Sequence, residues 1–121
     1  MSIVVRDVQK CKEFAAGDDS LLRELFHAHK GDFSFHYSLA HAVVAPGKRT
    51  KRHQIRFSEV YYVLEGWGMM HVGHEIKKVY PGCAAYIPPF AQQYIENIGK
   101  VDLKFLCIVD PAWKPEAEKI L

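Results

Sequence analysis

The sequence lacks the features that define several large classes of protein. Its longest unbroken apolar runs, Val60–Leu64, Cys83–Ile87 and Phe105–Val109, are far shorter than the roughly 20 residues of a membrane-spanning helix. The chain does not open with a basic segment, an apolar core and a small-residue cleavage site, which are the marks of a secretory signal. Its three cysteines are widely spaced and odd in number, which indicates reduced thiols rather than a disulfide framework. These absences predict a cytoplasmic protein without a membrane partner.

The charge balance also excludes a class of partner. The 16 Lys and Arg residues nearly balance the 14 Asp and Glu residues, for a formal net charge of +2. A dedicated nucleic-acid-binding domain is usually far more basic, so no nucleic-acid partner is expected. The length of 121 residues suits a single domain over 1–121, and 49% hydrophobic and 25% charged residues are ordinary globular values.

Gly and Pro residues divide the chain into short segments rich in β-branched and aromatic residues. This spacing of turns predicts an all-β sandwich or barrel. No helical period is sustained between residues 33 and 110. Residues 20–29 fit either a helix or a strand, and the neighbouring strands favour a strand. Residues 115–121 predict a short helix that begins at Pro115. The predicted strand segments are Phe35–Ala45, Ser58–Leu64, Met69–Val72, Ala84–Ile87, Tyr94–Asn97 and Leu103–Val109.

Two spaced motifs carry a resemblance to a known family. In residues 47–66, Gly47, His53, Glu59 and Gly66 have the spacing of the first cupin motif, Gly-x5-His-x-His-x3–4-Glu-x6-Gly. Ile55 stands where that motif has its second His. The order and spacing indicate a chain that resembles the cupin superfamily.

Residues 82–97 resemble the second cupin motif, Gly-x5-Pro-x-Gly-x2-His-x3-Asn. Gly82, Pro88 and Asn97 match it, while Phe90 replaces the second Gly and Gln93 replaces the ligand His. Together with segments such as SEVYYVLEG and the Pro-Ala-Trp tail, these motifs make the chain similar to small, uncharacterised conserved-barrel cupins. One fold hosts many chemistries, so the resemblance is informative about fold more than about function.

The resemblance implies a double-stranded β-helix, a jelly-roll barrel with its core at about 33–110. In cupins three His and one Glu hold a metal inside the barrel. Of those ligand positions His53 and Glu59 are kept here, and Gln93 offers an amide oxygen. Such a set suits a divalent Mn, Fe, Ni, Zn or Cu ion, held weakly. The resemblance further implies a homodimer, with the N-terminal strands and the C-terminal tail at its interface.

The alternation of side chains along a strand sorts the remaining candidates. If residues 58–64 and 67–72 form a hairpin, Glu59 opposes Val72 and shares its face with Tyr61, a candidate catalytic phenol with Glu59. His71 then lies on the other face, as a non-ligand. His36 and His41 point to opposite faces of one strand, so at most one of the two reaches the cavity. The expected exposed histidines are His27, His29 and His74.

A basic cluster surrounds His53 and is predicted to rim the mouth of the barrel. A small anion, such as a carboxylate or phosphate, would be attracted there, although a solvated basic loop explains the cluster equally well. The cluster comprises Lys48, Arg49, Lys51, Arg52 and Arg56.

Three functions are compatible with these residues. The first is a metal-assisted enzyme in which His53, Glu59 and Gln93 hold an ion and a small anionic or oxygen-rich molecule completes its shell. The second is a metal-free cavity that binds a small molecule or sugar, or isomerises it with His53 and Glu59 as an acid–base pair. The third is a dimer-forming module with a vestigial pocket.

Overall fold

Residues 3–121, which the computed structural model describes, form short β-strands joined by tight turns, with two single-turn 3-10 helices. The 3-10 helices are Val8–Lys10 and Pro115–Ala117. The strands are β1 Glu13–Ala15, β2 Leu21–His27, β3 Ser38–Val44, β4 His53–Ile55, β5 Ser58–Glu65, β6 Gly68–Val72, β7 Glu75–Val79, β8 Ala84–Ile87, β9 Gln93–Asn97, β10 Leu103–Asp110 and β11 Glu118–Ile120.

The strands build two facing antiparallel sheets, which confirms the predicted all-β barrel. One sheet has the order β1-β2-β3-β10-β5-β8 and the other the order β11-β4-β9-β6-β7. Side chains from both sheets meet in a main apolar core, where burial of each large aliphatic side chain contributes about 1.5–3 kcal/mol. The buried core residues are Ala42, Val44, Tyr61, Val63, Met70, Val79, Ile87, Ile95, Leu103 and Phe105. A second, smaller cluster contains Ile55, Val109 and Ala117.

Strand β5 shows how the alternating sequence places the site. Glu59, Tyr61 and Val63 are buried, whereas Tyr62 and Leu64 are exposed. The predicted faces are therefore confirmed, but the hairpin from which they were deduced is wrong. Strand β5 pairs with β8 and β10, whereas β6 pairs with β7 and β9 in the opposite sheet. The chain crosses between the sheets after Glu65, and alternation within each strand still sends the same residues inward.

That crossing depends on Gly66. Its φ of +84° lies in the left-handed region that glycine adopts without steric cost. A Cβ atom at this position would lie 2.6 Å from the backbone oxygen of Asp102. Asn97 holds the neighbouring loop, because its amide donates to the carbonyls of Val44 and Val101 and accepts from Gly99 N–H. Asn97 therefore has a structural role.

The chain termini extend both sheets beyond the predicted core of 33–110. Residues Leu21–His27 form a strand, as favoured from the sequence. The predicted short helix at 115–121 is confirmed only as a single 3-10 turn, Pro115–Ala117, and Glu118–Ile120 then pairs with β4 as a strand. Between residues 3 and 121, no helix is long and apolar enough to cross a membrane.

Candidate functional site

A cavity of about 360 Å³ lies between the two sheets, at the end where β4 and β5 meet the N-terminal turn and β11. His53 enters it from β4 and Glu59 and Tyr61 from β5, so the two sheets contribute opposite walls. A volume of this size suits a small organic molecule. The polar and ionisable lining residues are Asp18, Ser20, Glu24, Lys30, Ser38, His53, Glu59, Tyr61, Cys107 and Glu118.

A buried hydrogen-bonded chain joins three of the residues singled out in the sequence. The Tyr61 hydroxyl donates to Gln93 Oε1 at 3.1 Å, and Gln93 Nε2 donates to Glu59 Oε1 at 3.0 Å. The register pairs Gln93 with His53 across β9 and β4, which places both side chains on the inner face. The structure therefore brings His53, Glu59, Tyr61 and Gln93 to one end of the barrel.

The electrostatic environment of Glu59 sets it apart from the other carboxyls. Burial raises its pKa from an ordinary 4.5 to about 8, the Gln93 hydrogen bond opposes that rise, and the charges of Asp18 and Glu118 add to it. Glu59 is therefore mostly protonated at neutral pH, so that it can donate a proton. Burial likewise raises the pKa of Tyr61 and of the Cys107 thiol, with Glu59 the next cause in both, so neither ionises near neutral pH.

The ring of His53 lies on the cavity wall opposite Glu59, and a hydrogen bond fixes its orientation. Its Nδ1 donates to the carbonyl of Lys51 at 2.8 Å, which leaves Nε2 as the acceptor in the neutral imidazole. Nε2 lies 3.7 Å from Asp18 Oδ2. The other Asp18 oxygen accepts hydrogen bonds from the backbone N–H and the hydroxyl of Ser20, at 3.0 and 2.6 Å. The Asp18 carboxylate is thus positioned to stabilise a protonated His53.

Three acidic residues of the cavity, Asp18, Glu24 and Glu118, escaped the sequence analysis. Glu24 is paired with Lys30. Asp18 lies in the turn before β2, and Glu118 begins β11, where its Oε2 accepts from the indole N–H of Trp113 at 3.2 Å. Burial raises the pKa of Glu118, whereas the proximity of His53 lowers it. All three acidic residues lie outside the two motifs. The only local signal was the Asp18-Asp19-Ser20 turn, which indicates a loop and not the direction of a side chain.

The other histidines lie away from the cavity. His71 stacks on Tyr94, with ring centroids 4.0 Å apart, and its Nε2 is 3.0 Å from Glu96 Oε1. His36 is exposed, and His41 is on the outer face of β3, where burial lowers its pKa. The inward face of β3 is therefore the one with small side chains, Ser38 and Ala40.

The predicted exposure of His27 is wrong. The ring is buried, its Nε2 donates to the carbonyl of Trp113 at 2.6 Å, and its Nδ1 accepts from the N–H of His29. This side chain ties the end of β2 to the C-terminal segment. His29 and His74 are exposed, as predicted.

The basic cluster does not rim the cavity as predicted. None of its five residues lines the cavity that holds His53 and Glu59. Arg49, Lys51 and Arg52 instead line a separate pocket of about 370 Å³. Arg49 and Arg52 lie over the ring of Tyr94, 5.1 and 5.4 Å from its centroid, on the outer face of β9. Lys51 Nζ is 3.8 Å from Asp19 Oδ2. The loop before β4 turns these side chains outward while His53 points inward.

Residues 40–109 match the Cupin_2 model, described as a cupin domain. This chain is a member of the cupin family. An uncharacterised protein of Methanocaldococcus jannaschii, MJ1618, is 40% identical to this cupin, over the whole of this chain and 97% of that protein.

Solved structures share the barrel. The polyketide cyclase RemF from Streptomyces resistomycificus superposes with a TM-score of 0.82 at 19% identity, over 99% of this chain and 86% of that one. A cupin 2 domain-containing protein from Halorhodospira halophila gives 0.70 at 25% identity, over 76% of this chain. This cupin spans 64% of the Halorhodospira protein, less than two thirds of its length. These similarities confirm the conserved-barrel cupin fold.

Cupins often bind a metal ion, but the predicted ligands do not form a set that fits one here. Within residues 3–121, no three His, Cys, Asp or Glu side chains form a group that could hold a metal. Gln93 directs its N–H, not its oxygen, at Glu59, and Glu59 retains its proton at neutral pH. In the cavity, the His53 imidazole lies 3.7 Å from the Asp18 carboxylate, which leaves a pair of potential ligands there.

Proposed function

We propose that this cupin binds a small molecule in its barrel and moves a proton on it, with Glu59 as the acid and His53 as the base. One observation carries the proposal: a buried carboxyl in the cavity wall has its pKa raised to about 8. A general acid works best when its pKa lies near the ambient pH. Perturbed carboxyls in a cavity are typical of functional sites.

The surroundings of the two groups suit opposite roles. As Glu59 gives up its proton, the N–H of Gln93 stabilises the carboxylate that forms. As His53 accepts a proton at Nε2, the carbonyl of Lys51 holds the ring and Asp18 stabilises the positive charge. His53 takes a proton from one atom of the ligand, and Glu59 gives a proton to another atom. The net change is an isomerisation of the ligand. Solvent then returns both groups to their starting states.

Exchange of carbon-bound hydrogen in D2O tests this proposal without knowledge of the full reaction. A panel of small ketones, imines and amino ketones is incubated with the protein in D2O, and loss of each C–H signal is followed by NMR. We expect enzyme-dependent exchange on at least one compound, with a loss of about 100-fold or more in Glu59→Gln, because general acid–base groups contribute about 10²–10⁴.

The control is Glu75→Gln, an exposed carboxyl on β7, which is expected to exchange hydrogen like the parent protein. Titration of 13C-labelled Glu side chains supplies the second measurement, with one carboxyl expected to titrate near pH 8. A normal carboxyl pKa for Glu59, or equal exchange in Glu59→Gln, would show that Glu59 is not the acid.

A divalent metal is the second candidate, and the orientation of His53 favours it. A metal-bound His commonly donates its other N–H to a carbonyl or carboxylate, as Nδ1 of His53 does to Lys51. The predicted Mn, Fe, Ni, Zn or Cu ion would be held mainly by His53 and Asp18, so we expect weak binding. Elemental analysis of untagged protein is expected to find far less than one ion per chain. A full equivalent that His53→Ala loses would favour the metal-assisted enzyme instead.

A further inference from the structure

The charges of the cavity differ from those of the surface around it. Its lining contains four carboxyl groups but only one Lys and one His, and no Arg from the described residues lines it. The Lys is already paired, because Lys30 Nζ lies 2.8 Å from Glu24 Oε2. Of the other lining carboxyl groups, Asp18 and Glu118 form no ion pair with a Lys or Arg among the described residues.

Asp18 and Glu118 present acceptors to whatever occupies the cavity. One Asp18 oxygen is bound by Ser20, and the other lies beside His53. One Glu118 oxygen accepts from the Trp113 indole, and Glu118 also lines the cavity. An ionised carboxylate only accepts hydrogen bonds, so the remaining oxygens call for a donor.

The rest of the wall is apolar and partly aromatic. Phe14, Leu22, Ile55, Phe105 and Trp113 surround the acidic groups. Aromatic faces attract cations through the ring quadrupole, and apolar walls receive a hydrocarbon body. An anion placed here would face two carboxyl groups, and the described lining residues offer no unpaired guanidinium or ammonium group to receive it.

We propose that the ligand of this cavity is a small organic cation, an amine carried on an apolar body. This inference rests on the proposed function for the site but specifies its ligand class. The ammonium group binds between Asp18 and Glu118, and the apolar body lies against the aromatic wall next to Glu59. The sequence-based expectation of an anionic ligand depended on the basic cluster, and none of its residues is among those that line this cavity.

Three probes with one ring system and different charge test the proposal. Tryptamine, indole-3-ethanol and indole-3-acetate are titrated into the full chain at pH 7 by calorimetry. We expect tryptamine to bind at least tenfold more tightly than the uncharged alcohol, and the acetate to bind most weakly. Equal or tighter binding of the acetate overturns the proposal, as does the absence of tryptamine binding at 10 mM.

Variants then locate the cation. Glu118→Gln and Asp18→Asn are each expected to lower tryptamine affinity about tenfold and leave indole-3-ethanol unchanged, whereas Glu75→Gln changes neither. Glu118 is half-buried, so its variant keeps the test open if Asp18→Asn fails to fold. An unchanged tryptamine preference in folded Glu118→Gln and Asp18→Asn contradicts the assignment.

The proposal and the acid–base function fail separately. Glu59→Gln is expected to keep the amine preference while it loses hydrogen exchange in D2O. Amine preference without any exchange leaves the ligand class standing and removes the acid–base role. Exchange confined to ketones that carry no amino group would keep the acid–base role and remove the proposed ligand class.

Discussion

At the scale of single residues, the protein holds a carboxyl in its neutral form. The pKa of Glu59 is about 8 in the folded state, against an ordinary 4.5. Between these two values the folded chain binds more protons than the unfolded chain, so stability falls as pH rises. Above about pH 8, where Glu59 is ionised in both the folded and the unfolded chain, its contribution to the free energy of unfolding no longer changes with pH.

Glu59→Gln isolates this linkage because Gln does not titrate. We expect the free energy of unfolding of the parent protein to fall relative to that of Glu59→Gln between about pH 4.5 and 8, with a slope of at most about 1.4 kcal/mol per pH unit. Urea denaturation at a series of pH values measures the difference. A difference that does not vary with pH over this range would contradict a raised pKa.

Phe90 is a second residue in an unusual state. It stands where the cupin motif has Gly, and its φ of +68° is left-handed. A side chain in this region costs roughly 1–2 kcal/mol. The Phe90 side chain is 60% exposed, so little packing offsets that cost.

Phe90→Gly is therefore expected to raise the free energy of unfolding by about 1 kcal/mol. Phe90→Ala provides the matched control, since it removes the same ring but keeps a Cβ atom in the left-handed backbone. Thermal and urea unfolding of the three proteins separate the two effects. Equal stability of the Gly and Ala variants would show that the backbone is not strained.

At the scale of elements, the crossing between β5 and β6 joins the two sheets. A Cβ atom on Gly66 would meet the backbone of Asp102, whereas one on Gly82, at a similar φ of +94°, would meet nothing within 4 Å. Ala at either position places a side chain in the left-handed region, which is unfavourable. Only Ala at position 66 also clashes with a neighbouring backbone. We expect Gly66→Ala to be less stable than Gly82→Ala by about 2 kcal/mol, measured by urea unfolding. Similar losses in both variants would mean that the loop of Asp102 moves aside at little cost.

The strands also show how much of the fold could be predicted from the sequence. The inward direction of Glu59, Tyr61 and Val63 could be predicted, because alternation is a property of each strand alone. Which strands pair could not, because pairing depends on contacts between distant segments. The burial of His27 is of this second kind, since its partner is the carbonyl of Trp113, far along the chain. The two spaced motifs were enough to predict that His53, Glu59 and Gln93 lie together. Asp18 and Glu118 were missed, because their positions depend on contacts between distant segments.

At the scale of the whole molecule, the outer face of the larger sheet is unusually apolar. Tyr86, Val60, Ile108 and Leu39 form one row across β8, β5, β10 and β3. The face is bordered by the ion pairs Arg23–Glu13 and Lys104–Glu65, which carry no net charge. A second copy of the chain would meet this face without electrostatic repulsion.

The homodimer predicted from the sequence remains a prediction. Its interface was expected at the N-terminal strands and the C-terminal tail, and the exposed apolar row makes this face the alternative that we test. Light scattering after size exclusion is expected to give about twice 13.9 kDa, and the double variant Tyr86→Lys, Ile108→Lys is expected to give a monomer. Ile76→Lys, an exposed position in the other sheet, is the control and is expected to stay dimeric. A monomeric parent protein at micromolar concentration would contradict the assignment.

The acidic side of the cavity comes from the two ends of the chain. Asp18 and Glu118 both lie outside residues 40–109, the part that matches the cupin model, whereas His53 and Glu59 lie inside it. The residues that we propose for ligand choice and those that we propose for proton transfer thus lie in separable stretches of sequence. Grafting the first and last segments of a relative onto this barrel should exchange what it recognises and leave the acid and the base in place.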